Sequence, residues 1–179
     1  MSRARRAAGM AFAGAGSQTY KRDSDALNAV TAGLFYVDLE LKDYKLSRPL
    51  GFDQCTKARC PELVESPYAR VSTAHLKANM TAFRRGFEGC GANGAGLGYD
   101  DWLRAVGAGT LADTMLAALA ATRASLDALD PPLEGAIETN PAPVEALYVT
   151  LKTLTVPMKT QLITVLDLEL PKISEGDND

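Results

Sequence analysis

Apolar residues along this chain recur at helical intervals almost from end to end. Leu27, Val30, Leu34, Val37, Leu41 and Tyr44 follow one another at alternating three- and four-residue steps. That spacing places them on one stripe of an α-helix, with Asp38, Glu40, Lys42 and Asp43 mostly off the stripe. Asp23 or Ser24 is a suitable N-cap, and Pro49 and Gly51 are expected to end the helix. No period holds from Gly51 to Val71, where Pro61, Pro67, two cysteines and mixed charges predict a long loop. Loops beyond about 12–15 residues are uncommon in compact domains and often functional.

The period returns in a second helix, capped by Ser72 or Thr73 and burying Leu76, Met80, Phe83 and Phe87. Gly89–Gly98 then carries five glycines and should break it. A phosphate-cradling loop would follow a strand and carry Gly-Lys-Ser/Thr; here a helix precedes and no Lys follows, so a helix–helix connector is expected. A third helix, capped by Asp100 or Asp101, should run to about Leu129, with Trp102, Leu103, Val106, Leu111, Met115, Leu116, Leu119 and Leu126 along it. Gly107 and Gly109 weaken its first turns, and Asp130-Pro-Pro132 stops it. After a short helical turn over Leu133–Glu138, the last helix sets Val144, Leu147, Leu151, Leu154, Met158 and Val165 on one seam. Pro157 lies inside that run and should kink it. With strand signals nearly absent, the expected fold is all-α: an up-and-down four-helix bundle with a long irregular loop before the second helix.

Composition narrows the function classes. The 179 residues are 46% hydrophobic, enough for one compact domain burying roughly 70% of its unfolded surface. A formal net charge of -3 argues against a nucleic-acid partner, and Arg3, Arg5 and Arg6 are too few to form a basic surface. No apolar run approaches the roughly 20 residues of a membrane-spanning helix, so a soluble protein is expected. The Ala- and Gly-rich stretch Ala7–Gly16 lacks a Leu or Ile run and makes a weak signal-peptide core. Residues 1–22 read instead as a poorly ordered or partial segment of a longer protein. Cys55 and Cys60 can close a small disulfide suited to an oxidising compartment, which leaves Cys90 over. One His and three scattered Cys do not supply the four ligands of a structural zinc site.

Two blocks and a tail point to a family. The blocks are Leu46-Ser-Arg-Pro-Leu-Gly51 and Glu65-Ser-Pro-Tyr-Ala-Arg-Val-Ser72; the tail is Val165-Leu-Asp-Leu-Glu-Leu-Pro, ending on Gly176-Asp-Asn-Asp179. In that order, they resemble the C-terminal half of imelysin-like proteins, with Asp167 where that family usually has Gly. The resemblance covers most of the chain from about Asp25 onward. It implies a bacterial periplasmic or outer-membrane-associated protein of two helical halves, linked to iron acquisition. The domain would span residues 23–170, followed by an acidic tail over 171–179. The family's Gly-x-His-x-x-Glu metal motif belongs to its N-terminal half, expected to be absent here: three residues after the single His75 stands Ala78.

A zinc peptidase needs about three protein ligands, a bound water and a general base, which one His cannot furnish. A catalytic triad is equally unsupported. The family's peptidase label is therefore not carried over, and no catalytic or metal-ligating residue is assigned. What remains is a polar cluster where the loop meets the second helix: Glu65, Ser66, Arg70 and Ser72, with Asn79 further along. A helix N-terminus there favours anionic partners. In the resembling family this segment faces the other half. The expected function is a non-enzymatic binding component whose inter-domain ligand site is completed by the missing N-terminal half or by a second copy. Iron or another divalent metal would belong to the full-length protein. The alternatives are a metallopeptidase and a self-associating helical scaffold. Glu175, Asp177, Asn178 and Asp179 have the oxygen chemistry of a hard-cation site but sit on a terminal tail.

Overall fold

A computed structural model describes residues 17–91 and 95–174. The segment before Ser17 and the acidic residues Glu175, Asp177, Asn178 and Asp179 lie outside the described residues. Within them the chain is all-α, with no strand. Six helices follow one another: α1 (Asp23–Leu34), α2 (Ser72–Phe87), α3 (Tyr99–Ala105), α4 (Gly109–Asp127), α5 (Leu133–Thr139) and α6 (Ala142–Pro157). Besides short 3₁₀ turns at Pro61–Leu63 and Lys172–Ser174, two segments take π geometry. A π-helix over Val37–Ser47 extends α1, and a π turn over Met158–Leu162 extends α6.

The core lies where four of these elements meet. α6 packs on α4 and on the π-helix, and α2 packs on the same two. Phe35, Leu41, Leu76, Met80, Phe87, Met115, Leu119, Leu151 and Leu154 fill the space between them. Phe83 and Phe87, one turn apart on α2, stack with ring centroids 5.8 Å apart. The third expected helix is divided in two, because Gly107 adopts a left-handed φ of +84° between α3 and α4, a conformation that ends a helix cheaply only at glycine.

The first seam is buried as expected at Leu34, Val37 and Leu41 but departs from expectation on either side. Leu27 and Val30 are 37% and 40% exposed, whereas Asp38 and Lys42 are buried at 1% and 0%. For Asp38 and Lys42 the cause is the π-helix. Its i→i+5 bonding holds more residues per turn, so inward positions recur at roughly four to five residues instead of three to four. The buried positions Leu34, Asp38, Lys42 and Leu46 follow that longer step. The same effect moves the last seam: beyond Met158 it continues through buried Leu162 and Leu166, while Val165 is exposed.

Helix starts are capped differently from expectation. Asp25 and Asp101, in the first turns of α1 and α3, accept from the backbone N–H of Arg22 and Gly98. At α2 and α5 the caps are exchanged across the fold. Glu134 of α5 accepts the Ser72 N–H at 2.9 Å, and the Thr73 hydroxyl of α2 accepts the Leu133 N–H at 2.9 Å.

The long loop is tied down. Cys55 and Cys60 form a disulfide, Arg59 pairs with Glu145 at 2.6 Å, and Phe52 meets Tyr148 edge-on at 5.2 Å. Gly51 turns the chain into this loop at φ +83°, and a Cβ there would strike the Ala58 carbonyl. The segment after α6 is not strand-like. Asp167 takes a φ of +51°, a left-handed conformation that Asp tolerates better than most residues and Gly best. That accounts for Asp167 at a position where Gly is usual.

Candidate functional site

Burying a charge is costly unless it is paired, so charged side chains in a core mark where a fold gives up stability for something else. Here they gather between the two π segments. Lys42 Nζ lies 2.8 Å from Asp43 Oδ1 and 3.5 Å from Asp38 Oδ1; Lys159 Nζ, on the π turn, lies 3.6 Å from Asp38 Oδ2. Widened helical turns are frequently found at functional sites, and in this fold both of them contribute to one ion network. An unbroken α-helix would leave Asp38 and Lys42 at the edge of the apolar stripe; the π step turns them inward.

The outer face of the π-helix lines a cleft of about 290 Å³ with Tyr36, Glu40, Tyr44, Lys45 and Arg48; Leu63 and Glu65 of the loop complete it. Lys45 Nζ is 3.1 Å from Glu65 Oε1, and Glu65 Oε2 is 3.3 Å from His75 Nδ1. The Lys45 ammonium also stands 5.5 Å from the centre of the Tyr36 ring, and the Arg48 guanidinium lies 3.6 Å over Tyr44. Cations on aromatic faces are stabilised by the ring quadrupole. The result is a Lys45–Glu65 ion pair in the cleft beside two cation-bearing aromatic rings, with the His75 imidazole against the second Glu65 oxygen. On the other side of Tyr36 a second groove of about 280 Å³ is apolar, lined by Gly33, Leu34, Val37, Ala82 and Phe83 with Asn79 among them.

The five residues picked from the sequence separate into three places. Glu65 belongs to the charged cleft. Ser66 and Ser72 belong to the capping exchange: the Ser66 N–H donates to the Ser72 hydroxyl at 3.1 Å, and Ser72 is buried. Burial disfavours the charge of Glu134, but hydrogen bonds from the Ser72 hydroxyl and amide outweigh it. With the nearby Arg70 charge, they hold the Glu134 carboxyl below the usual glutamate range. Arg70 is itself exposed, with a left-handed φ of +54°. Asn79 lies in the apolar groove, its Nδ2 buried without a hydrogen-bond partner.

Sequence reasoning missed Asp38, Lys42, Lys45 and Lys159. Their one signal is the four-residue spacing of Asp38 and Lys42 beside the apolar stripe, which in an α-helix also suits an exposed ion pair. As for a metal, Glu65 and His75 offer one oxygen and one nitrogen side by side, but the Lys45 ammonium already occupies that carboxylate. No three His, Cys, Asp or Glu side chains stand together as a metal site among the described residues. These residues do not by themselves fit a metal centre, which calls for at least three protein ligands. No helix among the described residues is long and apolar enough to cross a membrane.

The family model for imelysin, which carries a peptidase label, matches residues 4–158. The match takes in the π-helix, the long loop, α2 and both grooves, and it stops before the tail. No curated protein and no solved structure matches the chain.

Proposed function

Because this chain belongs to the imelysin family, we propose that it acts as a binding component and not as an enzyme. On this reading it presents the cleft at Tyr36, Lys45 and Glu65 to a ligand held jointly with another segment. That segment is the second helical half of a longer protein or a second copy of the chain. The observation that carries this reading is the Lys45–Glu65 pair lining a cleft on the π-helix, with His75 against the second Glu65 oxygen, above a buried ion network. An ion pair open on one side, with an imidazole beside it, can pair with a polar ligand but supplies no nucleophile activated by a base. Ser66 and Ser72 serve the site indirectly: the capping exchange with α5 fixes where the loop delivers Glu65. The link to iron acquisition and a periplasmic location belong to this proposal too, by family membership.

Titration of Fe³⁺ and Zn²⁺ into the purified chain by calorimetry tests it. No saturable heat is expected from the chain alone. A longer imelysin-family protein should bind, and lose affinity when the counterpart of Glu65 is replaced by Gln. Tight binding by this chain alone overturns the division of labour, and so does chelator-sensitive hydrolysis of casein by it. Self-association is supported by one observation, the exposed Leu27 and Val30 on α1; a strict monomer at tens of micromolar in sedimentation would remove the second copy as partner.

A further inference from the structure

Away from the π-helix, the groove between α2 and α4 collects positive charge that the proposed function does not use. A cleft of about 200 Å³ is lined by Thr81, Arg84, Arg85 and Glu88 of α2 and its end, by Gly89 and Gly91, and by Arg123 of α4. Most guanidinium and ammonium groups on this surface are already committed to a carboxylate. Arg84 pairs with Glu88 at 2.7 Å, Lys77 with Asp127 at 3.0 Å, and Arg104 with Asp113 at 2.7 Å. Arg85 and Arg123 are different: neither forms an ion pair with any described residue, and both line this one cleft. The chain has 22 acidic residues against 19 basic ones, and the one carboxylate of this cleft, Glu88, is taken by Arg84, so two further guanidiniums lining it make a local excess of positive charge.

The last turn of a helix favours cations through its dipole, which accounts for Arg84 and Arg85 on α2. It does not account for Arg123, which is half-buried inside α4, more than a turn from that helix's end. The glycine-rich segment supplies the rest of the wall. Gly89 (φ +89°) and Gly91 (φ +138°) bring backbone without side chains to the rim, and a Cβ on Gly89 would collide with the Gly96 carbonyl. The sequence excludes a P-loop here; Gly89 and Gly91 instead line a cleft that guanidiniums share.

We propose that this cleft binds a small tetrahedral oxyanion of the phosphate or sulfate class. Arg85 and Arg123 would clamp its oxygens, since planar guanidinium donors match such groups in pairs. The cleft's volume suits one such group with water and is too small for a nucleotide. The site is separate from the cleft at Lys45, so the two readings stand or fall independently.

Inorganic phosphate, then sulfate, titrated into the whole chain at low ionic strength and followed by amide NMR, tests the proposal. Saturable shifts at Gly89, Gly91 and Arg123 are expected. Arg85→Gln and Arg123→Gln should each weaken binding at least tenfold, Arg123→Lys should recover only part of it, and Lys57→Gln, a distant exposed charge control, should leave it unchanged. Arg85 is exposed, so its variant reports on the site even if the Arg123 variant folds poorly. Equal shifts with chloride at matched ionic strength, or binding undiminished in the Arg85 variant, overturns the proposal.

Discussion

α6 has two kinds of neighbour, and the contrast between them explains most of this molecule. Toward α4 it meets an ordinary apolar interface, where Leu111, Met115, Leu119 and Leu126 belong to the same continuous core as Leu147, Leu151 and Leu154. Toward the π-helix it meets a region that also encloses Asp38 and Lys42, with Lys159 reaching in from its own π extension. Both regions are buried, but they are held by different physics. The first gains from apolar area removed from water and tolerates any side chain of suitable shape. The second must keep opposite charges matched, because each ion has given up its hydration. The charged region is also the one whose outer surface carries the Lys45–Glu65 cleft. A backbone wound as a π-helix at both contact points is what lets charge be held inside and displayed outside by neighbouring residues.

The comparison breaks most visibly at Lys42. Replacing it by Met keeps the length of the side chain but leaves Asp38 and Asp43 short of a buried cation. The expected cost is about 3–5 kcal/mol, read by urea denaturation. A loss under about 1 kcal/mol would mean that water reaches these carboxylates and that the region is not dry. On the apolar side, Leu119→Ala should cost about 3 kcal/mol through lost burial and the cavity it leaves. Its penalty should not depend on salt or on pH between 6 and 8.

A smaller effect sharpens the contrast between matched charge and plain burial. Glu134→Gln retains an acceptor for the Ser72 amide but removes the charge, and should cost roughly 1 kcal/mol at neutral pH. The direction with pH follows from the depressed carboxyl. A group whose folded pKa lies below its unfolded one adds stability that is complete above the unfolded value and lost as pH falls through the folded value. The difference between parent and variant should therefore shrink on acidification below the ordinary glutamate range. A difference that stays constant there would mean that Glu134 acts by shape alone.

Much of this was legible from residue order, and the reasons for what was not are specific. Spacing of Leu, Met and Phe located α2 and α6, and the Asp130-Pro-Pro132 stop and the glycine-rich break located the connections beside them. It could not tell that Gly107 divides the third helix, because a glycine near a helix start is tolerated nearly as often as it ends one. Of the polar residues chosen where the loop meets α2, Glu65 lies in the cleft and Ser72 lies in a cap. Their partners, Lys45 and Glu134, stand 20 and 62 positions away, beyond the reach of any local pattern.

The sequence by itself determined an all-helical chain, its principal breakpoints and its family, because periodicity, proline and glycine act within a few residues of themselves. Only the tertiary structure decided which way the π-helix faces and therefore that Asp38 and Lys42 are inside. Helical pitch at Val37–Ser47 is settled by what packs against it: the same eleven residues could bond i→i+4 in isolation. It is the proximity of α6, with Lys159 as a counter-charge, that favours the wider turn.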